Sequence, residues 1–280
     1  AFRRISIVAC GTAYHAGVVG KSFFEQLLRR PVEVNVASEF RYSDPILDKE
    51  TLVVLISQSG ETADTLAAMR EAQHKGATTL AIVNVVGSTL ARDADAVLLT
   101  QAGPEIGVAS TKAYLAQLTA LYLLGLYLAR HDASGNSRLT EAEYHSYVSA
   151  LRELPAQIEA IITQEASYSQ LAEELAKHHC FFYLGRRYDF ASSLEAALKM
   201  KEISYIHAEA YPAGEMKHGP LALVEPGVAV VGFCTQPDTN EKMVSNLKEV
   251  KAREGTIITV IREGDETPDC ADYTLSVPIT

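Results

Sequence analysis

The sequence predicts an α/β protein of two tandem domains, each a parallel β-sheet flanked by helices. Short apolar segments alternate with helical ones along the first half, which is the pattern of βαβ units. The second half repeats this pattern at a nearly constant separation, which indicates an internal duplication. A length of 280 residues with 48% hydrophobic residues is sufficient for two such cores.

The first half contains five predicted strands and three predicted helices. Each strand is a short aliphatic run, as expected where a parallel sheet is covered on both faces. Strands are predicted at 5–9, 32–37, 52–56, 79–83 and 96–99, and helices at 13–28, 63–75 and 112–130. A polar segment follows at 131–138, and 140–177 is predicted to form helices broken near Pro155.

The second half starts its repeat at residue 180. Strands are predicted at 180–184, 228–233, 257–261 and 273–277, with a helix at 242–253. Gly185 follows the first strand of this half as Gly11 follows the first strand of the chain, and Gly255 corresponds to Gly76. We therefore predict one domain at 1–135, a helical linker at 136–170 and a second domain at 171–280.

Composition argues against several classes of protein. A net charge of −10 argues against a nucleic-acid-binding surface, and no signal peptide is visible. The four cysteines are too widely spaced for a zinc ligand set or a disulfide framework, so we expect no metal and a cytoplasmic location. The apolar segment 113–129 is short for a membrane span and is predicted to lie in the core or a subunit interface. Because the chain opens without Met and directly on a strand, we expect it to be part of a longer protein.

Hydroxyl side chains cluster between the strand at 52–56 and the helix at 63–75. Hydroxyls, turn N–H groups and the positive end of a helix dipole would converge there, which predicts a phosphate-binding turn. The residues concerned are Ser57, Gln58, Ser59 and Thr62, around Gly60. No Lys follows the glycine, so the turn is not a nucleotide P-loop. The alternative is an ordinary serine-rich helix cap. The corresponding turn of the second half contains Pro237 and Asp238, so we expect one working phosphate site, in the first half.

Six sequence motifs, in order along nearly the whole chain, resemble one enzyme family. They occupy 10–12, 38–42, 57–65, 105–112, 199–210 and 214–221. The family is that of the glutamine–fructose-6-phosphate aminotransferases (isomerizing), and the resemblance is to their isomerase portion of two sugar-isomerase (SIS) domains. It implies a flavodoxin-like α/β/α fold for each domain.

The resemblance implies a reaction and partners. Fructose 6-phosphate and ammonia would give glucosamine 6-phosphate, with no cofactor, in the hexosamine pathway. In the family an N-terminal glutaminase domain supplies the ammonia from glutamine, and a C-terminal tail carries a lysine into the active site. Neither is recognised in this sequence, so we expect slow catalysis by these residues alone. The family also implies a homodimer.

Three residues are implied as catalytic by the resemblance. Glu202 would move a proton from C1 to C2 of the sugar, and Lys199 would contact the sugar hydroxyls or assist that transfer. Their spacing by itself favours an ordinary surface ion pair on a helix. His218 would open the sugar ring and would come from the neighbouring subunit.

Sugar contacts are implied at Cys10, Gly11, Thr12, Val108 and Ser110. Ala13 stands where the family usually has serine, so one hydroxyl contact is expected to be missing. Ser110 could instead cap the helix at 112–130. Two other functions remain open: another SIS-type sugar-phosphate isomerase or deaminase, and a non-catalytic phosphosugar sensor.

Overall fold

The computed structural model describes residues 2–279, which divide into two compact units between His145 and Ser146. Both units are α/β, and each contains a five-stranded sheet in which every strand pair is parallel. This confirms the predicted fold class. The predicted domain limits, including a separate linker at 136–170, stay a prediction.

The first unit follows the predicted alternation closely. Its strands are β1 (Arg4–Ala9), β2 (Val32–Val36), β3 (Thr51–Ser57), β4 (Thr78–Val83) and β5 (Ala96–Leu99). Its helices are α1 (Gly11–Leu28), α2 (Ala37–Phe40), α3 (Ala63–His74), α4 (Thr89–Asp93) and α5 (Lys112–Arg130), and α6 (Glu141–Ile162) begins in it. The short helices α2 and α4 are the additions to the sequence prediction.

The strand order of the first sheet is β2-β1-β3-β4-β5, the flavodoxin-like order. From β1 the chain proceeds to one side of the sheet and from β3 to the other. In open parallel sheets of this order, ligands bind outside the carboxyl ends of the two strands at this switch point. Both strands are almost completely buried, so the edge where they end is a rigid base for a site.

Helix α5 packs along α1 in the first unit. A Cβ at Gly125 would lie 2.7 Å from a ring carbon of Phe23, so glycine permits the close approach of the two helices. The buried face of α5 includes Leu121 and Leu124, whereas Leu115 and Tyr127 are exposed. The prediction of a core helix is thus correct for one face of α5. Within residues 2–279 no helix is long and apolar enough to span a membrane.

The second unit repeats the sheet, in the order β10-β9-β8-β6-β7. Its strands are β6 (Cys180–Gly185), β7 (His207–Pro212), β8 (Val228–Phe233), β9 (Thr256–Arg262) and β10 (Tyr273–Val277). Its helices are the rest of α6, then α7 (Glu165–Leu175), α8 (Tyr188–Ser204) and α9 (Asn240–Lys251), with short 3-10 turns between elements.

Two sequence predictions in this part were wrong. Strand β7 was not predicted, because it lies at the sheet edge and carries polar residues such as Glu209. The predicted break near Pro155 is absent, since α6 continues through that residue to Ile162. Pro155 is exposed, so water can solvate the carbonyl group that loses its helical hydrogen bond.

Candidate functional site

A cavity of about 220 Å³ opens in the first unit at the carboxyl ends of β1 and β3. The structure brings seven of the predicted residues together in its wall: Cys10, Thr12, Ser57, Gln58, Ser59, Thr62 and Ser110. Two polar residues that were not predicted, Thr65 and Gln117, line it as well, together with Ala13 and Ile56. The cavity therefore lies at the switch point of the sheet, where the fold favours a ligand.

The serine turn between β3 and α3 is internally hydrogen-bonded. The Gly60 N–H donates to Ser57 Oγ at 3.0 Å, and Ser57 Oγ lies 3.1 Å from Thr62 Oγ1. The Glu61 N–H donates to Ser59 Oγ at 3.2 Å. Thr62 occupies the cap position of α3 without a side-chain capping bond. The side chain of the cap residue therefore does not bond the first N–H groups of α3.

Gly60 fixes the shape of this turn. Its φ of +68° is in the left-handed region that favours glycine, and its carbonyl accepts a hydrogen bond from the Leu90 N–H at 3.0 Å. A Cβ at this position would lie 2.1 Å from Ser88 Oγ. The turn and Ser88 are therefore packed without room for any other residue at position 60.

The cavity wall carries no charged side chain. An anion bound there would be held by hydroxyl and backbone N–H donors and by the positive end of α3. Such donors suit a compact dianion such as a phosphate ester, because several can bond its oxygens at once. The arrangement can bind a small phosphorylated molecule without a cationic side chain.

Not all predicted sugar contacts reach the cavity wall. Val108 is fully exposed and Gly11 begins α1 at a φ of +54°, and neither lines the cavity. Ser110 lines it but does not cap α5, whose cap residue is Thr111. The Glu105 carboxylate takes the capping bonds, at 3.0 Å from the Ala113 nitrogen. Burial raises the pKa of Glu105, but the hydrogen bonds from Ala113 and Thr111 outweigh this effect, so the pKa is lowered.

The predicted catalytic pair lies on α8 of the second unit. The Lys199 ammonium contacts the Glu202 carboxylate directly and lies 3.4 Å from Glu195 Oε1. The side chains of Lys199 and Glu202 are 19% and 32% exposed, so water reaches the carboxylate more than the ammonium. The geometry places a carboxylate beside an ammonium donor, a combination that can move a proton on a bound substrate.

His218 ends the 3-10 segment Ala213–His218 in the second unit, and its side chain is exposed. Gly219 follows with a φ of +145°, which only glycine adopts readily. The neighbouring Lys217 is anchored to Glu249 at 2.8 Å. The loop therefore presents the histidine side chain to solvent.

The turn after β8, which corresponds to the serine turn, is occupied by a carboxylate of the protein itself. Asp189 is 4% exposed, and it accepts hydrogen bonds from the Thr235 N–H at 2.9 Å and the Thr235 hydroxyl at 2.5 Å. Burial raises the pKa of Asp189, and the bonds from Thr235 oppose that rise. Asp238 of the same turn pairs with Arg187. The Asp189 carboxyl group thus takes up the N–H and hydroxyl donors of Thr235 in this turn. The single phosphate site in the first half stays a prediction.

Fold and site together define the class of protein. Residues 2–127 and 174–279 match the SIS domain family, one match in each half of the chain. Among solved structures, the C-terminal domain of glucosamine-fructose-6-phosphate aminotransferase from Francisella tularensis has a TM-score of 0.93 at 39% identity. That comparison covers 99% of this chain and 78% of the other.

Curated relatives point to the same enzyme. A glutamine–fructose-6-phosphate aminotransferase (isomerizing) from Symbiobacterium thermophilum is 54% identical over 95% of this chain, and one from Clostridium acetobutylicum is 51% identical over 98%. The chain spans less than half of their length, 43% and 45%. The chain belongs to the SIS domain family and, within it, to the family of glutamine–fructose-6-phosphate aminotransferases, as the counterpart of their C-terminal part.

Proposed function

We propose that the chain carries out the isomerase and amination chemistry of such an aminotransferase, converting fructose 6-phosphate and ammonia to glucosamine 6-phosphate. The observation that carries the proposal is the cavity with an uncharged wall at the β1–β3 switch point, where seven of the predicted residues meet. In a longer protein, an N-terminal glutaminase domain would supply the ammonia.

The chemistry requires one amination and one proton transfer. Ammonia adds to the C2 carbonyl of the open-chain sugar and water leaves, which gives an imine at C2. Removal of a proton from C1 and its return to C2, with the C1 hydroxyl proton passing to the nitrogen, then gives an amine at C2 and an aldehyde at C1. We assign the proton transfer to Glu202, with Lys199 beside it, and ring opening to His218. Cys10, Gly11, Thr12, Val108 and Ser110 stay our proposed sugar contacts, Gly11 and Val108 on the family resemblance alone.

Ser59→Ala tests the phosphate turn. The variant removes one hydroxyl, and the loss of a hydrogen bond to a charged group costs about 1.5–3 kcal/mol. We therefore expect the affinity for fructose 6-phosphate, measured by calorimetry, to fall by roughly tenfold or more. Ser43→Ala is the matched control, because its hydroxyl bonds the Phe40 carbonyl outside the cavity. An unchanged affinity in Ser59→Ala would refute the assignment.

We further propose a cytoplasmic homodimer in which His218 reaches the active site of the partner. All four cysteines are free thiols, which suits a reducing compartment. The outer face of α5 supports association, because Leu115, Leu123 and Tyr127 are 43%, 50% and 61% exposed at helical spacing.

Leu123→Glu should convert this dimer to monomers, because it places a charge in a desolvated apolar interface. Sedimentation equilibrium at micromolar concentration is the measurement, with Ile46→Glu, on an 81% exposed residue of the first unit, as control. Formation of glucosamine 6-phosphate should fall with the dimer fraction. A parent chain that sediments as a monomer would contradict the proposal.

A further inference from the structure

Two buried polar atoms in the cavity wall lack partners. Thr65 is 1% exposed and Gln117 is 2% exposed. Thr65 Oγ1 and Gln117 Oε1 have no hydrogen-bond partner among residues 2–279. A buried polar atom left without a partner costs about 1–3 kcal/mol, so two of them beside one cavity need an explanation.

The position of Gln117 argues against a purely structural reason for burying this polar side chain. It lies on the buried face of α5, among residues such as Ala113, Ala120 and Leu121. An apolar side chain there would avoid the cost of burial, and the core around it provides no partner for the amide oxygen. The cavity is the open space next to it. The missing partner is thus expected to come from the ligand.

The chemistry of the two atoms indicates which part of a ligand they face. An amide oxygen only accepts hydrogen bonds, and a phosphate dianion has no proton to donate, so Gln117 Oε1 is unsuited to the phosphate. A sugar hydroxyl can donate to it. The Thr65 hydroxyl can donate and accept, and Thr65 lies three residues after Thr62 on the same face of α3. Both atoms are therefore suited to a hydroxyl group next to a bound phosphate.

We propose that Gln117, assisted by Thr65, binds a hydroxyl of the sugar part of the phosphosugar and thereby distinguishes a sugar phosphate from phosphate alone. The inference rests on the proposed function of this cavity and adds a specificity-determining residue to it. Ser57, Ser59 and Thr62 would bind the phosphate, and Gln117 would accept a hydrogen bond from the sugar chain.

The test compares two ligands in one variant. Gln117→Leu removes the amide, and calorimetry then measures binding of fructose 6-phosphate and of inorganic phosphate. One neutral hydrogen bond is worth about 0.5–1.5 kcal/mol, so fructose 6-phosphate should bind about three- to tenfold more weakly. Inorganic phosphate should bind within twofold of the parent. Ser43→Ala is the control, because its hydroxyl bonds the Phe40 carbonyl outside the cavity.

The outcomes separate this inference from the proposed function. Unchanged binding of fructose 6-phosphate in Gln117→Leu would show that the amide holds only water or protein and would overturn the inference alone. An equal loss for both ligands would overturn it too, since the residue would then only shape the cavity. A parent chain that binds phosphate but not fructose 6-phosphate would overturn the proposed function and the inference together. Gln117→Met, closer in shape to glutamine, repeats the measurement if Gln117→Leu does not fold.

Discussion

Glu202→Gln should lower the rate of glucosamine 6-phosphate formation from fructose 6-phosphate and ammonium by about 10²–10⁴-fold. A positioned general base contributes this much, and an amide cannot accept the C1 proton. The affinity for fructose 6-phosphate should change little, because the phosphate is held by the serine turn of the first unit. A loss of kcat without a loss of binding is the mark of a group that acts in the transition state.

The measurement is steady-state product formation, with parent and variant compared in the same form of the protein. Glu173→Gln, an exposed change on α7, is the control and should match the parent. The Glu202 variant also loses the negative charge that pairs with Lys199, so a thermal melt should accompany the kinetics. A variant that retains the turnover of the parent would remove Glu202 from the mechanism.

Gly60→Ala should abolish tight binding of fructose 6-phosphate, with a loss of affinity well above tenfold. The new Cβ would lie 2.1 Å from Ser88 Oγ and 2.6 Å from Ser88 Cβ, so the turn or Ser88 must move. Ser88 also accepts a hydrogen bond from the Ala91 N–H as the cap of α4. The left-handed backbone at this position adds about 1–2 kcal/mol for a residue with a Cβ.

Gly76→Ala is the matched control for this prediction. Gly76 has a φ of +81°, and a Cβ there would meet no atom within 4 Å. The Gly76→Ala variant therefore has the conformational cost of a left-handed backbone but no clash of the new Cβ with a neighbouring atom. We expect Gly76→Ala to lower the melting temperature and to bind fructose 6-phosphate as the parent does, as seen by calorimetry. Equal affinities in Gly60→Ala and Gly76→Ala would contradict the role given to the turn.

The fold was largely predictable because a parallel sheet covered by helices requires a simple alternation of apolar strands and helices along the sequence. Buried strands such as β3 are continuous apolar runs, and each helix between them has its own periodicity. The prediction failed where this pattern is weak. Strand β7 is a polar strand at a sheet edge, and α6 tolerates Pro155 because the residue faces solvent.

The candidate site was predictable where its residues are neighbours in sequence. The serine turn follows directly from a strand, a glycine and a helix start within a few residues. Contacts between distant residues left no such local signal. Asp189 meets Thr235 across 46 residues, and the Glu105 carboxylate rather than Ser110 caps α5. Gln117 gave one usable signal, a polar residue within the apolar segment 113–129, but its approach to the cavity depends on how α5 packs.

The central claim is that the serine turn at the β1–β3 switch point holds the phosphate of a sugar phosphate. A crystal structure with fructose 6-phosphate bound tests it most directly. We expect the phosphate oxygens within hydrogen-bonding distance of the hydroxyls of Ser57, Ser59 and Thr62, beside the first N–H groups of α3. A phosphate bound instead at the Thr235 turn of the second unit, or elsewhere on the chain, would contradict the account.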